Sequence, residues 1–202
     1  MLILYASPGA CSLAVHIALL ETGLDFELEK VDLKTRRTKT GADYLAVNPK
    51  GKVPALRLES GELLTENAVV LQYVADEAPQ AELIPPPGSF RRYRAMEGLN
   101  FIATEIHKGF GPLFQPDTPE DYKPLVLKTL SERFGYLDRL LDDRPFLLGQ
   151  AVSVLDFYSF VTGRWARNMK VDLTGCARLP AYWDRIAARP AAQRALRAEG
   201  LD

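Results

Sequence analysis

The chain of 202 residues holds two cysteines, and one of them, Cys11, follows a Pro8-Gly9 turn and opens an apolar run in "YASPGACSLAVHIAL" (5–19). The preceding "LILY" (2–5) reads as a buried strand, so Cys11 falls where a strand ends and a helix begins. A helix N-terminus presents unpaired N–H groups and the positive end of the macrodipole. A thiolate placed there is stabilised, and the thiol pKa falls. Nucleophilic or redox sulfur chemistry benefits from that setting. The plainer alternative is a small, buried, apolar cysteine. Cys176, in "LTGCARLP", has no such setting and reads as structural.

Three residues either side of Cys11 stand Pro8 and Ala14, so a C-x-x-C dithiol is excluded. Redox work at Cys11 would need a thiol from outside the chain, for which glutathione is the abundant cytosolic candidate. Two further stretches suit a small anionic thiol. "NPKGKVPALRL" puts a Val53-Pro54 bond at the start of a strand, where a residue without an N–H donor is tolerated. A cis bond there would turn the Val53 N–H and C=O toward a cleft, ready to pair with a peptide laid alongside. "LLTENAVVL" starts a helix near Thr65 to Asn67. Its free N–H groups suit a carboxylate, and the Glu66 side chain suits an ammonium. A γ-glutamyl group carries both charges on one carbon. Thr65 as an ordinary N-cap and Glu66 as an ordinary first-turn acid remain the simpler reading.

A third feature lies farther along. Asn100, Thr104, His107 and Gly111 recur at helical spacing on one face, and Leu99, Ile102, Ile106 and Phe110 on another. Such a helix buries one side and offers a polar stripe, here with a histidine that can act as donor or acid/base near neutral pH. His16, five residues after Cys11, falls on a different helical face from it and reads as structural.

The elements that would position these groups come in two blocks. Residues 1 to 77 alternate: strand at 2–5, helix at 12–21 closed by Gly23, strand at 26–33, short helix at 41–49, a hairpin over 53–66 turning at Ser60-Gly61, helix at 66–78. The order β-α-β-α-β-β-α is that of a thioredoxin-like α/β domain, expected over 1–78. "APQAELIPPPGS" cannot continue a helix and reads as a Pro-rich linker at 79–88. An all-α domain is expected over 89–202, with helices at about 89–114, 123–142, 154–169, 179–188 and 191–198. In "SVLD", Ser153 and Asp156 have capping-box spacing ahead of the apolar "FYSFV".

Bulk properties narrow the function. With 25 Lys+Arg against 26 Asp+Glu, the net charge is -1, which gives no footprint for nucleic acid or an anionic membrane. No long uncharged apolar run is present, the start lacks the flank of a signal peptide, and two distant cysteines make no disulfide framework. The expected location is a reducing cytoplasm.

Taken together, "SPGACSLAVHIAL", "VNPKGKVPAL", "LLTENAVVLQYVAD", "LNFIATEIHKGF" and "SVLDFYSF", in this order over essentially the full length, resemble a bacterial beta-class glutathione S-transferase. The resemblance implies a glutathione-binding thioredoxin-like domain, a helical domain contributing the electrophile site, no metal, and a cytosolic homodimer. It implies that Cys11 is the family's cysteine, able to form a mixed disulfide with glutathione, and that Val53, before a cis Pro54, pairs with the cysteinyl backbone. It implies that Glu66 and Asn67 hold the γ-glutamyl end and that Arg36 stands where the family often has lysine. Asn100, Thr104 and His107 match the family's site on the long helix, with Glu105 and Lys108 beside them and some of these reaching the neighbouring subunit's site. Cys11 and His107 are the implied catalytic residues. Ala6 departs from a frequent tyrosine, and Asn67 from glycine or serine.

The leading expectation is conjugation of the glutathione thiol to hydrophobic electrophiles, with Cys11-dependent thiol–disulfide exchange as a possible second activity. A glutathione-dependent oxidoreductase and a non-catalytic binder of glutathione or hydrophobic ligands stand as alternatives, and dehalogenase or isomerase variants stay open. Phe110, Leu113, Phe114 and Trp165 are candidates to line the electrophile pocket.

Overall fold

A computed structural model describes residues 1–201. Two compact units are formed, one by Met1–Ile84 together with the segment from Ala188 onward, the other by Pro85–Ala187.

The first unit is built on a five-stranded sheet of order β3-β2-β1-β4-β5, with β1 (Leu2–Ala6), β2 (Phe26–Asp32), β3 (Arg37–Thr38), β4 (Ala55–Arg57) and β5 (Leu63–Thr65). β1 runs parallel to β2 and antiparallel to β4, with Leu4 opposite both Leu28 and Leu56. β4 and β5 form the expected hairpin. The two-residue β3 was absent from the sequence reading, being too short to show a period. Helices α1 (Ser12–Thr22), α2 (Tyr44–Val47) and α3 (Asn67–Asp76) fill the β-α-β-α-β-β-α frame. α1 ends at Gly23, whose φ of 70° is the left-handed conformation glycine adopts without steric cost.

Every residue of α1 from Ser12 to Leu19 is buried. A helix this rich in apolar residues needs cover on more than one side. The outer cover is α8 (Pro190–Glu199), which packs along α1. The units therefore divide the chain differently from the expected 1–78, 79–88 and 89–202. The final helix forms as expected near 191–198, but it belongs to the first unit. Residues up to Ile84 also join that unit, through a short 3-10 turn at Pro79–Ala81 and the buried Leu83.

The second unit is helical, with α4 (Phe90–Phe101), α5 (Lys123–Leu141), α6 (Val154–Asn168) and α7 (Leu179–Ala187). α6 is its centre, with Val154 through Gly163 all buried. The capping box forms at its start, where the Ser153 N–H donates to Asp156 Oδ2 at 2.7 Å. Asp156 does more than cap: its Oδ1 accepts from the Leu147 N–H at 2.9 Å and from the Tyr182 hydroxyl at 2.7 Å. Asp138 of α5 similarly holds the start of α7, accepting from the N–H groups of Arg178 and Leu179 at 2.8 and 2.9 Å.

The single helix expected over 89–114 is three pieces. α4 stops at Phe101, a π-helical stretch runs over Ile102–His107, and a 3-10 stretch follows over Lys108–Phe114. The Lys108 N–H reaches back five residues to the Ala103 carbonyl. Pro112, inside the 3-10 stretch, lacks the N–H donor that a continuing α-helix would use there. π-stretches inside helices concentrate at functional sites.

Candidate active site

In the first unit, the turn Ser7–Ala10 delivers Cys11 to the N-cap of α1. Ala10 N–H donates to the Ser7 carbonyl at 3.0 Å, and the Ser12 hydroxyl accepts from the Ser7 N–H at 3.1 Å. Opposite stands the loop Asn48–Val53. Tyr44 Oη and Asn48 Nδ2 both donate to the Lys52 carbonyl, at 2.7 and 2.8 Å. Arg36 Nη1 donates to the Gly51 carbonyl at 2.6 Å. Gly51 has φ of 59°, which favours glycine, and a Cβ there would lie 2.0 Å from that guanidinium and displace it. The Val53-Pro54 peptide is cis. Val53 packs with Tyr5, Tyr44 and Ala55, and its carbonyl accepts from Cys11 Sγ at 3.1 Å.

Cys11 is buried, at 6% exposure, and this overturns the expectation of a lowered pKa. Burial pushes its thiol up to about 12, the Glu66 carboxylate adds to the rise, and the backbone N–H groups of Cys11 and Ser12 and the charge of Lys52 recover only part of it. Desolvation penalises the thiolate more than the helix N-terminus favours it. Cys11 is thus a neutral thiol donating to a carbonyl.

At the start of α3, Glu66 is the N-cap with φ 70° and ψ 114°, outside the region a non-glycine residue prefers. Its side chain makes no cap; Lys50 Nζ instead donates to Glu66 Oε1 at 2.6 Å and to Thr65 Oγ1 at 3.0 Å. Asn67 is buried at 6% exposure, and neither its Nδ2 nor its Oδ1 has a hydrogen-bond partner. Buried amides left unpaired are rare in folded proteins, and each needs a reason.

In the second unit, Leu99, Ile102, Ile106 and Phe110 are all fully buried, as the helical spacing predicts. Asn100 and Thr104 are exposed, and Thr104 Oγ1 donates to the Asn100 carbonyl at 3.0 Å. Glu105 pairs with Arg133 at 3.0 Å, and Lys108 is exposed. His107 is half-buried; its Nδ1 lies 2.6 Å from Tyr158 Oη of α6, and its ring meets Trp165 edge-on at 4.9 Å. Of the expected electrophile residues, Phe110 is core, Trp165 is nearly so, Leu113 is half-buried and Phe114 is 48% exposed against Trp165.

Sequence reasoning missed Lys50, Tyr44, Asn48 and Tyr158. Lys50 shares the stretch "NPKGKVP" with Val53, which is the one signal available for it. The others are aromatic or amide residues whose pairing partners lie on different elements.

The fold and these groups define a thioredoxin-fold protein with a single thiol at the first helix beside a cis-proline loop, joined to a helical unit. Residues 9–77 match the glutathione S-transferase N-terminal domain and residues 101–190 the glutathione S-transferase C-terminal domain. The chain is 50% identical over 198 residues to glutathione S-transferase GstA of Escherichia coli O157:H7, covering 98% of each. Among solved structures, it superposes with TM-score 0.95 and 48% identity on a sphingomonad glutathione S-transferase complexed with glutathione, covering 99% of this chain and 100% of that one. The same values describe its similarity to a beta-class glutathione S-transferase of Sphingomonas chungbukensis. The chain belongs to the glutathione S-transferase family, in its bacterial beta class.

Proposed function

We propose that this glutathione transferase joins the sulfur of glutathione to the electrophilic carbon of a hydrophobic substrate, with Cys11 as a neutral hydrogen-bond donor rather than the nucleophile. The observation that carries this reading is the orphaned amide of Asn67, in the unit that also holds Cys11 and Val53. An α-amino acid end answers it on both sides: the ammonium donates to Oδ1 and the carboxylate accepts from Nδ2. Glu66 holds the same ammonium, and the first N–H groups of α3 hold the carboxylate. The Val53 N–H and C=O pair with the cysteinyl backbone of the substrate. Arg36 braces the loop through Gly51, so its contribution is to the shape of the glutathione site.

With the Val53 carbonyl taken up by the peptide, the Cys11 S–H turns from it to the bound sulfur and stabilises the thiolate. The glutathione proton leaves to solvent, the sulfur lone pair forms the C–S bond, and the leaving group departs with its bonding pair. Tyr158 fixes the ring of His107 for a donor or acid/base role. Asn100, Thr104, Glu105 and Lys108 supply polar contacts to glutathione, and Phe114 with Trp165 offers apolar surface to the electrophile.

A homodimer fits the exposed apolar run Phe90, Tyr93 and Met96 on one stretch of α4, which a second copy would cover. A reducing, cytoplasmic location fits the two free cysteines. No helix among the described residues is long and apolar enough to cross a membrane.

The test is conjugation of glutathione to 1-chloro-2,4-dinitrobenzene by the native protein and by Cys11→Ala. Conjugation by both supports the reading. Conjugation lost altogether with Cys11 makes the cysteine more than a hydrogen-bond donor and overturns its assigned role. No conjugation by the native protein overturns the reading and brings thiol–disulfide exchange forward.

A further inference from the structure

The turn that presents Cys11 is held from outside by the last turn of α8. Glu199 is buried, at 6% exposure, and both of its carboxylate oxygens are committed. Oε2 accepts from the Gly9 N–H at 2.9 Å, and Oε1 lies 2.8 Å from His16 Nδ1. His16 is itself buried on α1, one turn beyond Cys11, with its ring against Phe26. Gly9 has φ of 72°, and a Cβ added there would meet Leu201 at 3.5 Å.

The rest of α8 is fastened to the same frame. Arg189 forms a two-pronged pair with Glu21, Nε to Oε1 at 2.6 Å and Nη2 to Oε2 at 2.9 Å. Lys30 Nζ donates to the Ala198 carbonyl at 2.8 Å. α8 is thus tied to the end of α1 by Arg189 and to its beginning by Glu199. A buried carboxylate retained for packing alone would be costly. This one spends both oxygens on the backbone and helix that set where Cys11 sits. Its two bonds leave the turn little freedom to move Cys11 away from the Val53 carbonyl.

We propose that Glu199 is a positioning residue for the active-site turn: through the Gly9 N–H and His16 it fixes Cys11 against the cis-proline loop, making the C-terminal helix part of the glutathione site. The catalytic half of this inference rests on the proposed role of Cys11. The positional half does not, and it is read without glutathione.

Glu199→Leu removes both acceptors at similar volume, whereas Glu199→Gln keeps an oxygen for Gly9 and an amide for His16. In the full chain, alkylation by iodoacetamide is followed at Cys11 and Cys176 separately by peptide mass spectrometry. The leucine variant should alkylate at Cys11 at least tenfold faster than the native protein, with Cys176 unchanged. Its kcat for conjugation should fall about fivefold or more, with KM for glutathione within twofold. The glutamine variant should return both values to within twofold of native. A folded leucine variant with native alkylation and kcat, or a glutamine variant as impaired as the leucine one, overturns the proposal.

Should the leucine variant not fold, exchange of the Gly9 amide in the native protein decides. Protection of a thousandfold or more is expected. Exchange within tenfold of an unstructured amide overturns the proposal. Slow Gly9 exchange and restrained Cys11 alkylation in a protein that conjugates nothing would leave the clamp standing and defeat the transferase reading instead.

Discussion

Cys11 Sγ lies 3.1 Å from the carbonyl oxygen of Val53, a contact between residues 42 positions apart in the chain. It joins the first helix to the cis-proline loop and keeps the thiol protonated, because the same burial that brings the two together pushes the thiol up to about 12.

That protonation has a measurable pH signature. Alkylation of Cys11 should rise with pH throughout pH 7 to 10 with no plateau, since the thiolate fraction grows tenfold per unit below the pKa. A plateau near neutral pH would contradict the neutral thiol.

The same shift carries a stability prediction with a definite sign. The unfolded chain begins to lose this proton near the ordinary value of 9.0, the folded chain only near 12. The stabilisation is therefore full below pH 9 and is lost as pH rises from there toward 12. Relative to Cys11→Ala, the native protein should lose about 1.4 kcal/mol per pH unit above 9, measured by urea unfolding at pH 8, 9.5 and 10.5.

Asn67 should show a trade between stability and binding. Its unpaired amide is a liability in the free protein, of about 1–3 kcal/mol. Asn67→Leu should raise the melting temperature of the free protein by several degrees. It should also raise KM for glutathione tenfold or more. An unchanged KM would remove the side chain from the site.

Tyr158→Phe tests whether His107 needs its partner. The hydroxyl 2.6 Å from Nδ1 fixes the ring, and its loss leaves packing almost intact. Conjugation kcat should fall severalfold with KM for glutathione little changed. A shift in KM alone would place His107 in binding rather than turnover.

Asp156 is a matter of stability, not activity. Its carboxylate accepts from Ser153, Leu147 and Tyr182 at once, and Asp156→Ala would leave those donors buried without partners. The loss should reach about 3 kcal/mol or more in urea unfolding, beyond what a surface cap contributes. A loss near 1 kcal/mol would reduce Asp156 to a simple cap.

Local pattern determined a good deal by itself. The strand–turn–helix around Cys11, the Ser60-Gly61 hairpin, the buried face Leu99, Ile102, Ile106 and Phe110, and the Ser153–Asp156 box all follow from periodicity and from residues whose partners lie within a few positions. The stretches that nominate Cys11, Val53, Glu66 and Asn67 as candidates are likewise short and contiguous. What depends on groups far apart in the chain was decided only by tertiary structure. The ionisation of Cys11 reversed, because desolvation is a property of everything packed around a thiol and a helix N-terminus is one contribution among several. The π winding of Ile102–His107 and the pairing of His107 with Tyr158 were not legible locally, because Tyr158 lies 51 positions away. The last helix joins the first unit and covers α1, which is buried from Ser12 to Leu19 and mostly apolar in "SLAVHIALL"; its buried His16 is met by Glu199, 183 positions away.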